Sequence, residues 1–321
     1  MEEKQRLKTL RSSMNPSGLI VLAYYGIMNV GVMVVMLVDM IVYLLGNMDS
    51  WSVQSLVEHM MQFVASNGWG YLLAVAVGAL IALLWKGFPF WKNEVFAREK
   101  KMTPGVFVQL FCVFMAVQTV LTIVFPVAEW LLNQVGLSVM AAMEAASISS
   151  TGVSMFLYVA FIGPVAEELL FRGLLLRILQ PYGKRFAILT SAILFGLLHG
   201  NVIQSPFAIG VGLVLGYVTL EYSIIWAIVL HIFNNFVLSD LLGRLAAVLP
   251  NGMGDILIFA ILLIAGIIAV ALVIIHWSDI KDYRKRDPMD RLALKAFFTS
   301  PTVLIFAVLM LLSSLLTITR I

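Results

Sequence analysis

The stretch GDILIFAILLIAGIIAVALVIIHW, residues 254–277, has one charged side chain, Asp255, at its start and is then apolar as far as His276 and Trp277. A helix needs about 20 apolar residues to cross the hydrocarbon of a bilayer. The stretch therefore reads as a membrane span, with His276 beside Trp277 at an interface. Comparable runs lie at 18–45, 69–86, 105–131, 152–179, 186–200, 207–221, 224–241 and 301–319. The pair 186–200 and 207–221 is short for a full crossing, and a re-entrant turn at HGNVIQSP would reduce the path to eight spans.

Charge decides between the two paths. Basic residues mark cytoplasmic loops. With nine spans and the N-terminus in the cytoplasm, 19 of the 21 basic residues fall on or near one side, leaving only Arg244 and Arg320. Eight spans would put the loop 278–300, with Lys281, Arg284, Lys285, Arg286, Arg291 and Lys295, on the outside. The expected fold is thus all-α, a polytopic transmembrane helical bundle of about nine spans.

Composition agrees. The chain is 61% hydrophobic and 12% charged, against about 25% charged in a soluble domain. The single cysteine, Cys112, excludes an intrachain disulfide framework and a multi-cysteine metal site, and reads as a packing residue. The first apolar run is too long for a cleaved leader and reads as a retained helix. Residues 47–68 read as an outer loop with an interfacial helix, His59 as solvated, and Asp39 as snorkelling or locally paired. There is no Walker loop, HExxH or GxSxG motif, and the basic loops read as topology signals rather than nucleic-acid sites.

Ionisable groups inside a membrane mark function by default. In GPVAEELLFRGLLLR (163–177), Arg172 is four residues after Glu168, so the two share a helix face and pair. Glu167 points about 100° away and is the freer carboxylate, suited to general-base work. Phe195 and His199 share a face of the next segment. His231 and Asn235 share a face of HIFNN (231–235), and Asn234 is ambiguous. Counted from the cytoplasmic ends of their spans, Glu167 lies ~22 Å deep, His199 ~20 Å and Asn235 ~16 Å, which suits a common cavity. A carboxylate and an imidazole can activate water, while an imidazole and an amide can stabilise an oxyanion. The Glu/His set also suits a divalent metal such as zinc.

The ordered set EExxxR (Glu167–Arg172), FxxxH (Phe195–His199) and HxxxN (His231–Asn235) resembles the CPBP family of intramembrane proteases, the CAAX proteases and bacteriocin-processing (Abi) enzymes, and is similar to their type II CAAX prenyl endopeptidases. The resemblance covers about 150–240, which divides the chain into N-terminal transmembrane helices (1–149), a catalytic core (150–240) and C-terminal transmembrane helices (241–321). It implies a helical core enclosing a polar chamber. It also implies that Glu167 and His199 activate water, that His231 and Asn235 stabilise the oxyanion, and that Glu168 and Arg172 shape the site, with Glu168 sometimes counted as catalytic. Both a metal-free glutamate mechanism and a metalloprotease are argued for such enzymes. A metal would be held by Glu167, His199 and His231.

The expected partners are membrane lipid and a membrane-associated peptide or protein substrate, with no nucleic acid. The expected place is a bacterial plasma membrane, as a multi-pass protein. A non-catalytic membrane binding or bacteriocin-immunity protein on the same scaffold is the second reading, and a proton-coupled transporter the third.

Overall fold

The structure, a computed structural model, describes residues 2–147 and 152–321. The expected boundary between residues 149 and 150 lies outside them. The chain is helical nearly throughout, in chain order α1 (Glu2–Gly46), α2 (Val53–Ser66), α3 (Trp69–Val95), α4 (Pro104–Asn133), α5 (Met140–Ser147), α6 (Val153–Tyr182), α7 (Lys184–Leu198), α8 (Gln204–Glu221), α9 (Ile224–Val248), α10 (Pro250–Ile275), α11 (Trp277–Arg286), α12 (Arg291–Phe298) and α13 (Pro301–Leu316). A two-residue antiparallel pair, β1 (Leu137–Ser138) with β2 (Thr319–Arg320), ties the C-terminus to the end of α4.

Six helices, α1, α3, α4, α6, α9 and α10, are long and apolar enough to cross a membrane, and the pair α12–α13, bent by 63°, makes a seventh if counted as one span. The nine expected spans are not all of this kind. The difference lies in α7 and α8, which at 15 and 18 residues reach ~22 and ~27 Å against ~30 Å of hydrocarbon. Their apolar residues have another reason. Phe186, Ala187, Thr190, Ala192, Leu194 and Phe195 on α7, and Val211, Leu215, Val218 and Leu220 on α8, are buried in protein. By contrast α10 exposes Ile256, Leu257, Ile264, Ile267, Val270, Ile274 and Ile275. An all-round apolar helix is either lipid-facing or core; α10 is the first and α7 the second.

The core gathers around α7. Phe171, Leu175, Leu176 and Leu179 of α6 pack there with Phe186 and Phe195, Met14 and Val21 of α1, Phe297 of α12 and Phe306 of α13. A second cluster joins Phe114 of α4 to Leu215 of α8 and Leu230 of α9. Small residues set the closest approaches, as is usual between helices in lipid. A Cβ on Gly196 would lie 2.3 Å from Ile209 Cγ1 and 2.6 Å from the Ser205 carbonyl oxygen. Gly196→Ala is therefore expected to force α7 from α8 and cost about 1–3 kcal/mol, read as a lower melting temperature of the purified protein.

Outside the core, His59 stays partly exposed but is also paired: its Nε2 lies 2.7 Å from Asp39 Oδ2, and its ring stacks on Tyr43 at 4.1 Å. Asp39 is locally paired, and the pair fastens the short helix α2 to α1. His276 Nδ1 lies 3.0 Å from Asp279 at the start of α11. Near the ends of α7 and α8, Glu221 takes Lys100 at 2.6 Å and Lys184 at 3.0 Å. The hydrogen bond to Glu221 raises the pKa of Lys100 above the usual lysine value.

Candidate active site

The EE motif sits on a helix that is not regular. In α6 the residues Gly163–Glu168 are α-helical, but Tyr158–Ile162 before them and Leu169–Leu175 after them form wider π turns. Phe233–Leu241 of α9 is also π-helical. Such turns are rare and collect at functional sites. Pro164 explains part of the first one. The Gly163 N–H is donated to the Tyr158 carbonyl, five residues back, and Pro164 has no N–H to give. The Val159 carbonyl thus lacks its helical donor. Asn235 Nδ2 fills the place at 3.0 Å, while Asn235 Oδ1 accepts from Asn234 Nδ2 at 3.0 Å.

Glu168 and Arg172 are both fully buried and paired, with Arg172 Nη1 3.0 Å from Glu168 Oε1. The same Oε1 lies 2.9 Å from His231 Nδ1, and Glu167 Oε2 lies 3.7 Å from His231 Nε2. The Arg172 guanidinium stands over the Phe195 ring at 4.3 Å, beside Gly212, where a Cβ would come within 3.0 Å of Arg172 Nη2. Phe195 meets His199 and His231 edge-on, at 5.1 and 5.8 Å between centroids. His199 closes α7, with its Nδ1 3.0 Å from the Phe195 carbonyl oxygen.

These contacts fix proton positions. The Phe195 carbonyl can only accept, and the Glu168 carboxylate, paired with Arg172, accepts as well, so both Nδ1 atoms carry hydrogen. Neutral His199 and His231 then keep a lone pair at Nε2. For His231 that lone pair lies toward Glu167. The side chain of Glu167 is 19% exposed, against 0% for Glu168, so the first carboxylate is the one that solvent or substrate can reach.

Glu167, Glu168, Arg172, Phe195, His231 and Asn235 are drawn together by α6, α7 and α9. His199 joins through Phe195, and among the described residues no hydrogen bond or ion pair links it to Glu167. The metal set Glu167, His199 and His231 fits poorly: no group of three or more His, Cys, Asp or Glu side chains is placed to hold a metal ion among the described residues. The sequence reading missed the tyrosines around Glu167. Tyr24 of α1 and Tyr158 of α6 both lie in its electrostatic reach, and Tyr71 of α3 stacks on Tyr158 at 4.6 Å. Helical spacing held a signal, since Tyr24 falls on the same stripe of α1 as buried Val21 and Met28.

Asn235→Ala leaves the Val159 carbonyl without its donor. The expected cost is about 1–3 kcal/mol, seen as a loss of thermal stability. A fall in activity with unchanged stability would instead assign the amide to chemistry alone.

Residues 149–237 match the family described as Rce1-like, type II CAAX prenyl endopeptidase Rce1-like. The matched segment contains the EExxxR, FxxxH and HxxxN motifs, and the match supports the CPBP/CAAX protease family and, at that level, an intramembrane protease. No curated protein and no solved structure matches the chain.

Proposed function

We propose that the chain is an intramembrane endopeptidase whose nucleophile is a water held between Glu167 and His231. The observation that carries this reading is the 3.7 Å separation of Glu167 Oε2 from His231 Nε2, with His231 Nδ1 anchored 2.9 Å from Glu168. That gap is too long for a direct hydrogen bond. A water donating one hydrogen to each acceptor turns its own lone pairs away from them, toward a scissile carbonyl. Glu167 takes the proton as the oxygen attacks, and the collapse of the tetrahedral intermediate returns it to the leaving amine.

The buried Glu168–Arg172 pair sets the orientation of His231, and Phe195 spaces the two imidazoles. His199 closes α7, and the Phe195 carbonyl at its Nδ1 turns its Nε2 away from that helix end. This changes one role implied by the resemblance, because His231 rather than His199 stands beside Glu167. The substrate class is a membrane-associated peptide or protein entering a polar chamber among α6, α7 and α9. The basic loops favour a cytoplasmic N-terminus, and the proposed location is a bacterial plasma membrane. A bundle in which α7 and α8 cross while shielded by their neighbours would complete nine spans.

The test is cleavage of a peptide library by the purified protein in detergent, with and without a prenylated cysteine and with and without chelator. Cleavage at defined bonds that survives chelation is the expected result. No cleavage of any peptide by folded protein would favour a binding or immunity role, and cleavage lost on chelation would demand a metal.

A further inference from the structure

Away from the candidate active site, the segment WSDIKDYRKR (277–286) forms α11 directly after the apolar span α10. Its charges are sorted by sign. At about 100° per residue, Trp277, Lys281, Arg284 and Lys285 fall within about 100° of arc, and Asp279 and Asp282 fall outside it. The fold adds a fourth cation to that face. Arg185, at the start of α7, lines one cavity with Lys281, Arg284 and Lys285; Pro288 and Met289 supply its apolar edge, and its volume is about 430 Å³.

The cavity is held in shape by backbone contacts between α7 and the end of α11. Arg185 Nη1 is donated to the carbonyl oxygens of Arg284 and Asp287, 3.1 Å from each, and the Arg185 backbone N–H is donated to Asp287 Oδ2 at 2.5 Å. Gly183 permits this approach: its φ is +116°, and a Cβ there would lie 3.1 Å from Asp287 Oδ1. The nearby carboxylates leave the cavity cationic. Asp287 is taken by the α7 backbone, Asp279 lies 3.0 Å from His276 Nδ1, and Asp290 takes Arg6 at 2.6 Å. Asp282 meets Lys285 at 3.6 Å with both side chains exposed, where an ion pair is worth little. Among the described residues no ion pair engages Lys281 or Arg284.

Cations gathered around one cavity attract a phosphate group, and the position of the cavity decides what carries that group. Just before α11, the span α10 exposes Ile267, Val270, Ile274 and Ile275, and Trp277 is half exposed. Such a surface meets acyl chains, and tryptophan settles at the headgroup level. Lys281 comes only ~6 Å further along the helix. We propose that this cavity binds the phosphate headgroup of an anionic phospholipid, which fastens α11 and the turn before α7 to the membrane surface. Basic pockets between helices on the cytoplasmic side suit such headgroups. Arg284 offers a planar fork of N–H donors to two phosphate oxygens, Lys281 and Lys285 add charge, and Pro288 and Met289 pack on the glycerol. The site stands apart from Glu167 and does not depend on its role.

The experiment titrates the full chain in a neutral detergent with a short-chain phosphatidylglycerol, with phosphatidylcholine of the same chains, and with inorganic phosphate, and counts bound lipid by native mass spectrometry. Saturable binding of phosphatidylglycerol in preference to phosphatidylcholine is expected. Lys281→Gln/Arg284→Gln is expected to weaken it about 30-fold. Both side chains are exposed, so the fold should persist, and a thermal melt checks it. Arg284→Gln alone, expected to weaken binding about 5-fold, decides if the double variant does not fold. Lys92→Gln/Arg98→Gln removes the same charge from exposed positions outside the cavity and should bind like the unaltered chain. Equal affinity in the cavity and control variants, whether kept or lost in both, overturns the proposal, and so does binding with no preference over phosphatidylcholine. Displacement of phosphatidylglycerol by millimolar inorganic phosphate overturns the lipid assignment in favour of a soluble phosphate.

Discussion

Glu167→Gln is expected to lower peptide cleavage by about 10²–10⁴-fold, the range that a positioned general base contributes, and to leave the protein folded. The change is isosteric and removes only the ability to take a proton. Glu167 is not part of the buried pair, because Glu168 alone accepts from Arg172 and from His231 Nδ1. Losing the charge at position 167 therefore leaves that network intact. The 3.7 Å gap to His231 Nε2 would still hold a water, since the amide oxygen also accepts, but the water would lack a base of carboxylate strength. Initial rates measured by mass spectrometry beside a thermal melt separate the two effects. An unchanged rate would remove Glu167 from the chemistry. A lost rate with a collapsed melt would make it a structural residue.

The second large effect falls on stability. Arg172→Met is expected to cost about 3–5 kcal/mol, because removing one member of a buried ion pair strands the other charge. Here the stranded group is Glu168, fully buried at 0% exposure, with Oε1 shared between Arg172 and His231. The cost should be largely recovered in Glu168→Gln/Arg172→Met. The double variant has no buried charge to strand, and its Gln side-chain oxygen still accepts from His231 Nδ1. Arg172 also packs on the Phe195 face at 4.3 Å, so methionine, long and apolar, is the better test than alanine. Thermal unfolding of Glu168→Gln, Arg172→Met and the double variant completes the cycle. Equal destabilisation in the single and double variants would mean that the guanidinium's packing, rather than its charge, carries the effect.

Local spacing made some of this site legible. The Glu168–Arg172 pair follows from i,i+4 geometry, and so does the turn that brings His199 Nδ1 to the Phe195 carbonyl. Contacts between helices were not legible. Glu168 and His231 are 63 residues apart, and nothing in either motif says that they share a hydrogen bond. The family resemblance implied Asn235 as an oxyanion donor, and spacing showed only that it shares a face with His231. Its observed bond to the Val159 carbonyl arises because Pro164 withholds a donor on another helix. The short runs 186–200 and 207–221 read as spans from their apolar content, which does not say whether those side chains face lipid or protein.

The sequence by itself determined that the chain is a helical membrane protein, where its polar motifs fall, and which side chains share a helix face. These properties depend on composition and on the 3.6-residue repeat, which act within one segment. Only the tertiary structure decided which apolar side chains are buried in protein and which are exposed, and that His231 is the imidazole beside Glu167. Those outcomes depend on how closely glycines let helices approach and on which buried polar groups find partners, and both are settled only when distant segments meet.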